Sequence, residues 1–411
     1  MKNVLFVSIA FPPKLDPECI QTAKYFKYLV KHASFKLDVV TSKLPTLFMP
    51  YDPYLEEYAT GYRQQVEIKV WENKYSNFLI RLLSPALLLK PDSKSRFYRQ
   101  WSSVPKRLKN EPSIIYSRSF PLSSAMMALK LKRHYKVPWV MHLSDPWVDS
   151  PYFSADDKVK EENTAMEAEC FEEADAICFT SPKTIDLYRE KYPHYAKKYR
   201  LFPNVYDPDS ICMEKISFHG KLRFVYTGGL AGIRTAESLL KAIRELRSNR
   251  ALDLDKMEFI FAGDIDRANK KLMMEYSDPS IQHIGAVSYQ KAIELQRSAH
   301  ILMLFEAPIQ DAKKAVFFPS KLLDYAVAQH PIMAVTSEGS TTSEFINSNA
   351  LGSCFDHAAT DQIILFLERA LEHYEQGNDS FFFRQINVQE HDANLNAKRL
   401  ITLFHELCEN S

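Results

Sequence analysis

Cysteine is scarce and unpatterned. The six residues (Cys19, Cys170, Cys178, Cys212, Cys354, Cys408) are scattered through 411, with no Cys-x-x-Cys pair and no Cys/His cluster at zinc spacing. This argues against a disulfide scaffold or a zinc ribbon and fits a reducing, cytosolic compartment. No apolar run reaches the roughly 18 residues of a membrane span. The opening MKNVLFVSIAFPPKLDP meets prolines where a signal peptide would need small residues, so it reads as a first buried strand. Excess charge of one sign is missing too: 52 Lys and Arg against 51 Asp and Glu leave +1 and no global case for nucleic acid. There is no Gly-x-Gly-x-x-Gly fingerprint, no Walker-type phosphate loop, no Asp-x-Asp in a convincing context, no short-period repeat and no low-complexity tract.

What is present is ordinary for a globular chain, 46% hydrophobic and 25% charged. The length exceeds what one core usually serves, so two domains are expected. Apolar strand-like runs alternate with helix-period segments: NVLFVSI, KLDVVTS, SIIYSRS, WVMHLSD and AICFTS, then, after LFPNVYDPDS, LRFVYTGG, MEFIFAGD, IQHIGAVS and HILMLFE. That alternation predicts α/β architecture with parallel sheets, doubly wound, in domains 1–205 and 206–385, closed by a helix within 386–411 that packs back across them. Asp392 or Asn394 would cap that last helix.

Ligands of such sheets meet the carboxyl ends of strands, so polar residues just past strand ends are the candidates. In FVYTGGLAGIRTAESLLKAI, Gly228 and Gly229 let the backbone turn tightly, and the helix opening near Thr235 offers free amides to an anion. Arg234 there can grip a diphosphate through two bonds; a solvated arginine on an ordinary turn is the alternative. In FPSKLLDYAVAQHPIMAV, Pro319 and Ser320 suit a helix start, and Lys321 and Asp324 share one side of its first turn. The cation can meet phosphate and the acid can accept bonds from sugar hydroxyls; a local Lys321 to Asp324 surface pair is the alternative. In the first half, Arg118 ends a strand, where an acceptor phosphate or a structural salt bridge would occupy it. Strand alternation puts His142 and Ser144 on one face and Asp145 on the other until the chain turns. His142 is a packed strand residue or a catalytic one, and Asp145 before proline can also cap a turn.

The stretch FPSKLLDYAVAQHPIMAV resembles the Pro-Ser-Lys…(Glu/Asp)-Tyr-Ala-x-x-x-Pro signature of retaining, two-domain nucleotide-sugar glycosyltransferases of family four. The likeness runs over nearly the whole chain. SIAFPPKLDPE is similar to the family's opening loop, LFPNVYDPD to its interdomain segment, YTGGLAGIRTAESLLKAI to its phosphate turn, HIGAVSYQKAIELQRSAHILML to its base-binding region, and SDPW to an Asp-x-Arg-Asp-Pro-Trp segment of one branch. The resemblance implies a GT-B fold, two facing Rossmann-like domains with a cleft between them, and a nucleotide sugar as substrate with neither metal nor cofactor. It implies that Arg234 and Lys321 hold the donor diphosphate, that Asp324 binds the ribose, that the backbone of Val287 and Ser288 meets the base, and that Asp145 lies near the reacting centre. Three departures stand out. A family glutamate eight residues before Asp324 is Val316 here, leaving the donor sugar to amides near Phe317 and Phe318 or to Glu306. The arginine after the glycine turn is absent. The acceptor-side Gly-Gly loop is replaced by Asp16-Pro17-Glu18, with Lys14 as the remaining cation.

Residues 74–109 carry nine Lys or Arg against one Asp, interleaved with Phe78, Leu79, Leu82, Leu83, Phe97, Tyr98 and Trp101. Such a mixture suits an anionic leaflet, with a core helix and a solvated basic loop as the alternative. The expectation is a cytoplasmic enzyme, peripheral on the inner face of the membrane, that moves a sugar, from a UDP-sugar by preference, to a lipid-linked or polysaccharide acceptor of a capsule or lipopolysaccharide. A catalytically silent nucleotide-sugar-binding scaffold and a sugar-nucleotide epimerase of the same architecture are the rivals.

Overall fold

The computed structural model describes residues 2–44, 49–70, 74–83, 85–150, 153–211, 217–249, 252–309 and 318–410. Its chain packing separates two units, Met1–Asp207 with Glu390–Ser411, and Pro208–Gln389.

The first unit holds β1 (Asn3–Val7), β2 (Lys36–Ser42), β3 (Gln64–Ile68), β4 (Ile114–Ser119), β5 (Trp139–Leu143), β6 (Ala176–Phe179) and β7 (Tyr199–Leu201) in the order β3-β2-β1-β4-β5-β6-β7, all parallel. Alternation along the strands sorts the side chains between two helix layers. Val4, Phe6, Tyr116 and Val140 pack with the helices Pro17–His32 and Ala393–Glu409. Leu5, Val7, Ile115 and Met141 pack with Ser123–Tyr135 and Asp157–Glu173. Covering on both faces is why these strands read as continuous apolar runs. Each such side chain removed from water contributes about 1.5–3 kcal/mol.

The first helix starts where Asp16, in extended conformation, accepts the Glu18 amide, with Pro17 supplying the fixed first φ, and it stops at Ala33 in the left-handed region. Asp392 caps the terminal helix by accepting from Leu395. That helix lies on the first one, with Phe404 edge-on to Phe35 and Asn394 bonded to His32. The segment LFPNVYD is also tied to the first helix. Gln21 bonds the Val205 backbone in both directions, Tyr25 donates to Pro203 O, and Asp207 accepts from Lys27 and Tyr28.

The second unit holds β8 (Leu222–Thr227), β9 (Met257–Ala262), β10 (Ile281–Gly285), β11 (Ile301–Phe305), β12 (Ile332–Val335) and β13 (Gly352–Phe355) in the order β10-β9-β8-β11-β12-β13, again parallel. Strand order reverses between β1 and β4 in one sheet and between β8 and β11 in the other. The crevices beyond those carboxyl ends are where such sheets take ligands.

Candidate functional site

The second unit gathers its cations at the reversal point. β8 ends in Thr227, and Gly228 follows with φ +126. Gly263, after β9, comes so close that a Cβ on it would meet Gly228 O at 2.1 Å. Two glycines therefore allow two strand ends to touch. Lys321 opens the helix Lys321–Ala328 and reaches back to this turn, its Nζ donating to Tyr226 Oη at 3.2 Å and lying 4.3 Å from that ring's centroid. A Cβ on Gly228 would sit 2.3 Å from the same nitrogen. Arg234 donates to Gly229 O at 3.4 Å, and Asn269 holds the Arg234 carbonyl. Burial, reinforced by the Arg234 charge and partly offset by Glu306, pushes the Lys321 ammonium down to about 7.

Glu306 is the first residue past β11. Its amide bonds Val335 O, and its Oε2 accepts from the Thr336 hydroxyl, which lies 2.9 Å from the Ser340 hydroxyl. Ser340 caps the helix Thr341–Ser348. Burial raises the Glu306 carboxyl, while the hydroxyls of Thr336 and Thr342 and the charges of Arg234 and Lys321 work against that rise. The structure thus brings Arg234, Lys321 and Glu306 together.

Asp324, one turn into its helix, is buried and accepts from Tyr289 Oη at 3.4 Å. Among the described residues Lys321 bonds Tyr226 and feels the charges of Arg234 and Glu306, and no ion pair joins it to Asp324. Ser320 occupies the cap position without a side-chain cap bond. Ser288, just past Val287, caps the helix Tyr289–Arg297 by accepting the Lys291 amide. Phe318 packs edge-on against Phe345. Phe317 and Val316 lie outside the described residues.

The first unit treats its cations differently. Arg118 is fully buried, its Nε donating to Glu18 Oε1 at 2.6 Å, its Nη1 to His142 Nδ1 at 3.3 Å, and its guanidinium 4.8 Å from the Tyr25 ring. Ser144 donates to the other Glu18 oxygen, and Tyr116 Oη to His142 Nδ1 at 2.8 Å. Of the two expectations for Arg118, the salt bridge to Glu18 is present. Glu18, one residue inside the first helix, neutralises the guanidinium within the sheet's helix layer. His142 is a packed strand residue: burial and the Arg118 charge push its imidazole well below the usual range, so it accepts as a neutral ring. Lys14 is also internal, donating to Thr41 Oγ1 at 3.0 Å and Phe11 O at 3.4 Å, with burial pushing it down to about 8. It is not an outward cation for an acceptor. Asp145 remains partly open at the end of β5; burial, Glu18 and Asp16 push its carboxyl up to about 7.

The basic stretch divides. The helix Lys74–Leu83 exposes Tyr75, Phe78, Leu79 and Leu82, spaced along one face, and Leu83 beyond them. Phe97, by contrast, is buried in the core, with Tyr98 and Trp101 packed against it, and Lys90 pairs with Glu162. Among the described residues of 74–109, the first part offers apolar side chains outward, whereas Phe97 and its neighbours serve as a wall of the first unit. Sequence reasoning missed Tyr226, Gly263, Tyr289 and the role of Glu18. Gly263 carried a signal, a glycine directly after a strand, whereas the others depend on contacts distant along the chain.

Residues 53–210 match the Glycosyltransferase Family 4 model. No curated protein matches the chain. Among solved structures it is similar to sucrose-phosphate synthase from Thermosynechococcus elongatus (12% identity, 100% of both chains covered, TM-score 0.66). It is similar as well to the lipopolysaccharide outer core galactosyltransferase WaaB (14%, 97% of this chain and 99% of that one, 0.54). A third likeness is to a protein assigned as UDP-N-acetylglucosamine 2-epimerase from Listeria monocytogenes (12%, 100% and 98%, 0.61). At such identities the likeness is one of fold. The chain has two parallel-sheet α/β units of the GT-B fold, and over residues 53–210 it is similar in sequence to glycosyltransferase family four.

Proposed function

We propose that the protein is a retaining glycosyltransferase that moves a sugar from a nucleotide sugar, a UDP-sugar by preference, to a lipid-linked or polysaccharide acceptor of the cell surface. The observation that carries the reading is the convergence of Arg234 and Lys321 on the glycine turn at the reversal of the second sheet. As the bond from the anomeric carbon to the phosphate oxygen breaks, its electron pair passes to the diphosphate, and two fixed cations in a partly dry site stabilise that charge. The acceptor hydroxyl bonds to the anomeric carbon on the same face and gives its proton to the departing phosphate. Asp324 takes the ribose, the backbone of Val287 and Ser288 meets the base, and Asp145 serves the reacting centre. No metal takes part in this reading.

The exposed apolar face of Lys74–Leu83 supports peripheral contact with an anionic membrane, which would bring the enzyme to a lipid-linked acceptor. The test is transfer: release of nucleoside diphosphate from UDP-sugars with membrane lipid extract as acceptor, in wild type and Lys321→Ala. Turnover that disappears in the variant supports the enzyme. Nucleotide-sugar binding without turnover under any acceptor would favour a silent scaffold, and interconversion of the sugar without transfer would favour an epimerase.

A further inference from the structure

A carboxylate beside two cations meant for a diphosphate works against diphosphate affinity. Glu306 is nevertheless built in, with its backbone fixed to β12, one oxygen held by Thr336, and that hydroxyl in turn beside Ser340 at a helix cap. An ionised carboxylate only accepts hydrogen bonds and repels another carboxylate. We propose that Glu306 is a specificity-determining residue of the donor site, accepting hydrogen bonds from hydroxyls of the sugar attached to the diphosphate and excluding donors whose sugar carries a carboxylate. The inference rests on the nucleotide-sugar reading and deepens it: the donor sugar is neutral, and uronate donors are rejected. Thr336 is a positioning residue, since its hydroxyl fixes the orientation of the carboxylate. Glu306 faces Arg234 from the turn after β8 and Lys321 from the helix after residue 320; burial raises its carboxyl, and these two charges work against that rise.

The experiment measures dissociation constants of UDP, UDP-glucose and UDP-glucuronate for wild type, Glu306→Gln and Thr336→Val; if GDP is the nucleotide that binds, GDP, GDP-mannose and GDP-mannuronate replace them. Wild type is expected to prefer the neutral sugar over the uronate by about tenfold or more, the worth of one charged contact. Glu306→Gln should narrow that preference to within about threefold, and Thr336→Val, which keeps the charge, should weaken the neutral sugar while still rejecting the uronate. A uniform change for nucleotide, neutral sugar and uronate in Glu306→Gln would overturn the proposal and leave Glu306 as a counter-charge to Arg234 and Lys321. Bare nucleotide that binds wild type but not Lys321→Ala keeps the donor site itself standing in that case. Failure of every nucleoside diphosphate to bind wild type would remove the donor site and this inference with it. Glu306→Gln also removes a desolvated acid, so loss of folding is not expected, and a melting curve checks it.

Discussion

Arg118 and Arg234 occupy comparable places in the two units, each close to where strand order reverses, yet their surroundings are opposite. Arg118 is sealed: Glu18 matches its charge, His142 Nδ1 accepts from its Nη1, Tyr25 covers its plane, and no part of it is exposed. Among the described residues Arg234 shares its crevice with a second cation, Lys321, and the Glu306 carboxylate acts on both. A matched buried pair fixes packing, and breaking it is costly because the partner is stranded. An excess of positive charge held by backbone carbonyls and an aromatic ring leaves a field for an incoming anion. The same residue type is thus structural in one unit and proposed for binding in the other.

The sharpest break in this comparison comes from truncating one arginine in each unit. Arg234→Ala and Lys321→Ala should each cut turnover by roughly 100-fold or more with little change in melting temperature. Arg118→Ala should instead unfold the first unit more easily, by about 3–5 kcal/mol, because Glu18 stays buried without its partner. Urea melts beside initial rates separate these outcomes, and equal effects on rate in all three variants would erase the distinction. Next in size is the pH dependence of donor binding. The free ammonium of Lys321 titrates near 7, and the diphosphate meets only its protonated form, so the bound value rises. Affinity is then full below pH 7 and falls by up to about tenfold per unit above it, with proton uptake on binding at pH 8. Calorimetry in two buffers of different ionisation heat reads the uptake, and none at pH 8 would contradict the account of Lys321.

Smaller effects are expected from the membrane face and the turn. Phe78→Ser with Leu82→Ser should lower binding to anionic vesicles by about tenfold or more, since each apolar side chain buried in lipid is worth about 1.5–3 kcal/mol. The melting temperature should hold, because both side chains are exposed in the folded chain; unchanged co-sedimentation would remove the lipid contact. Gly228→Ala places a methyl against the Lys321 nitrogen at a positive φ. A strain of about 1–3 kcal/mol and several-fold weaker nucleotide binding are expected, measured by titration.

The interior strands were legible in the sequence because helices cover both of their faces, which makes NVLFV, IIYSRS and LRFVYT unbroken apolar or strand-forming runs. Of the strands absent from that reading, β3, β7 and β13 lie at sheet edges. QQVEI alternates too weakly, YRL is three residues long, and GSCF lacks branched side chains, so local pattern carries little of their pairing. In the site, Lys321 and Arg234 were legible because each sits beside a helix start or glycine turn. The Arg118 network was not, since Glu18 lies 100 residues away from it in sequence and Ser144 lies 126 from Glu18. Tyr226 looked like one more strand aromatic, and only the fold shows its hydroxyl receiving Lys321.

The most direct measurement is thermal stabilisation by UDP, GDP, dTDP and ADP and their sugars in wild type, Arg234→Ala and Lys321→Ala. The account predicts a shift with one nucleotide class, lost in both variants. No shift with any nucleotide, or a shift that survives in both variants, would contradict the placement of the donor diphosphate between Arg234 and Lys321.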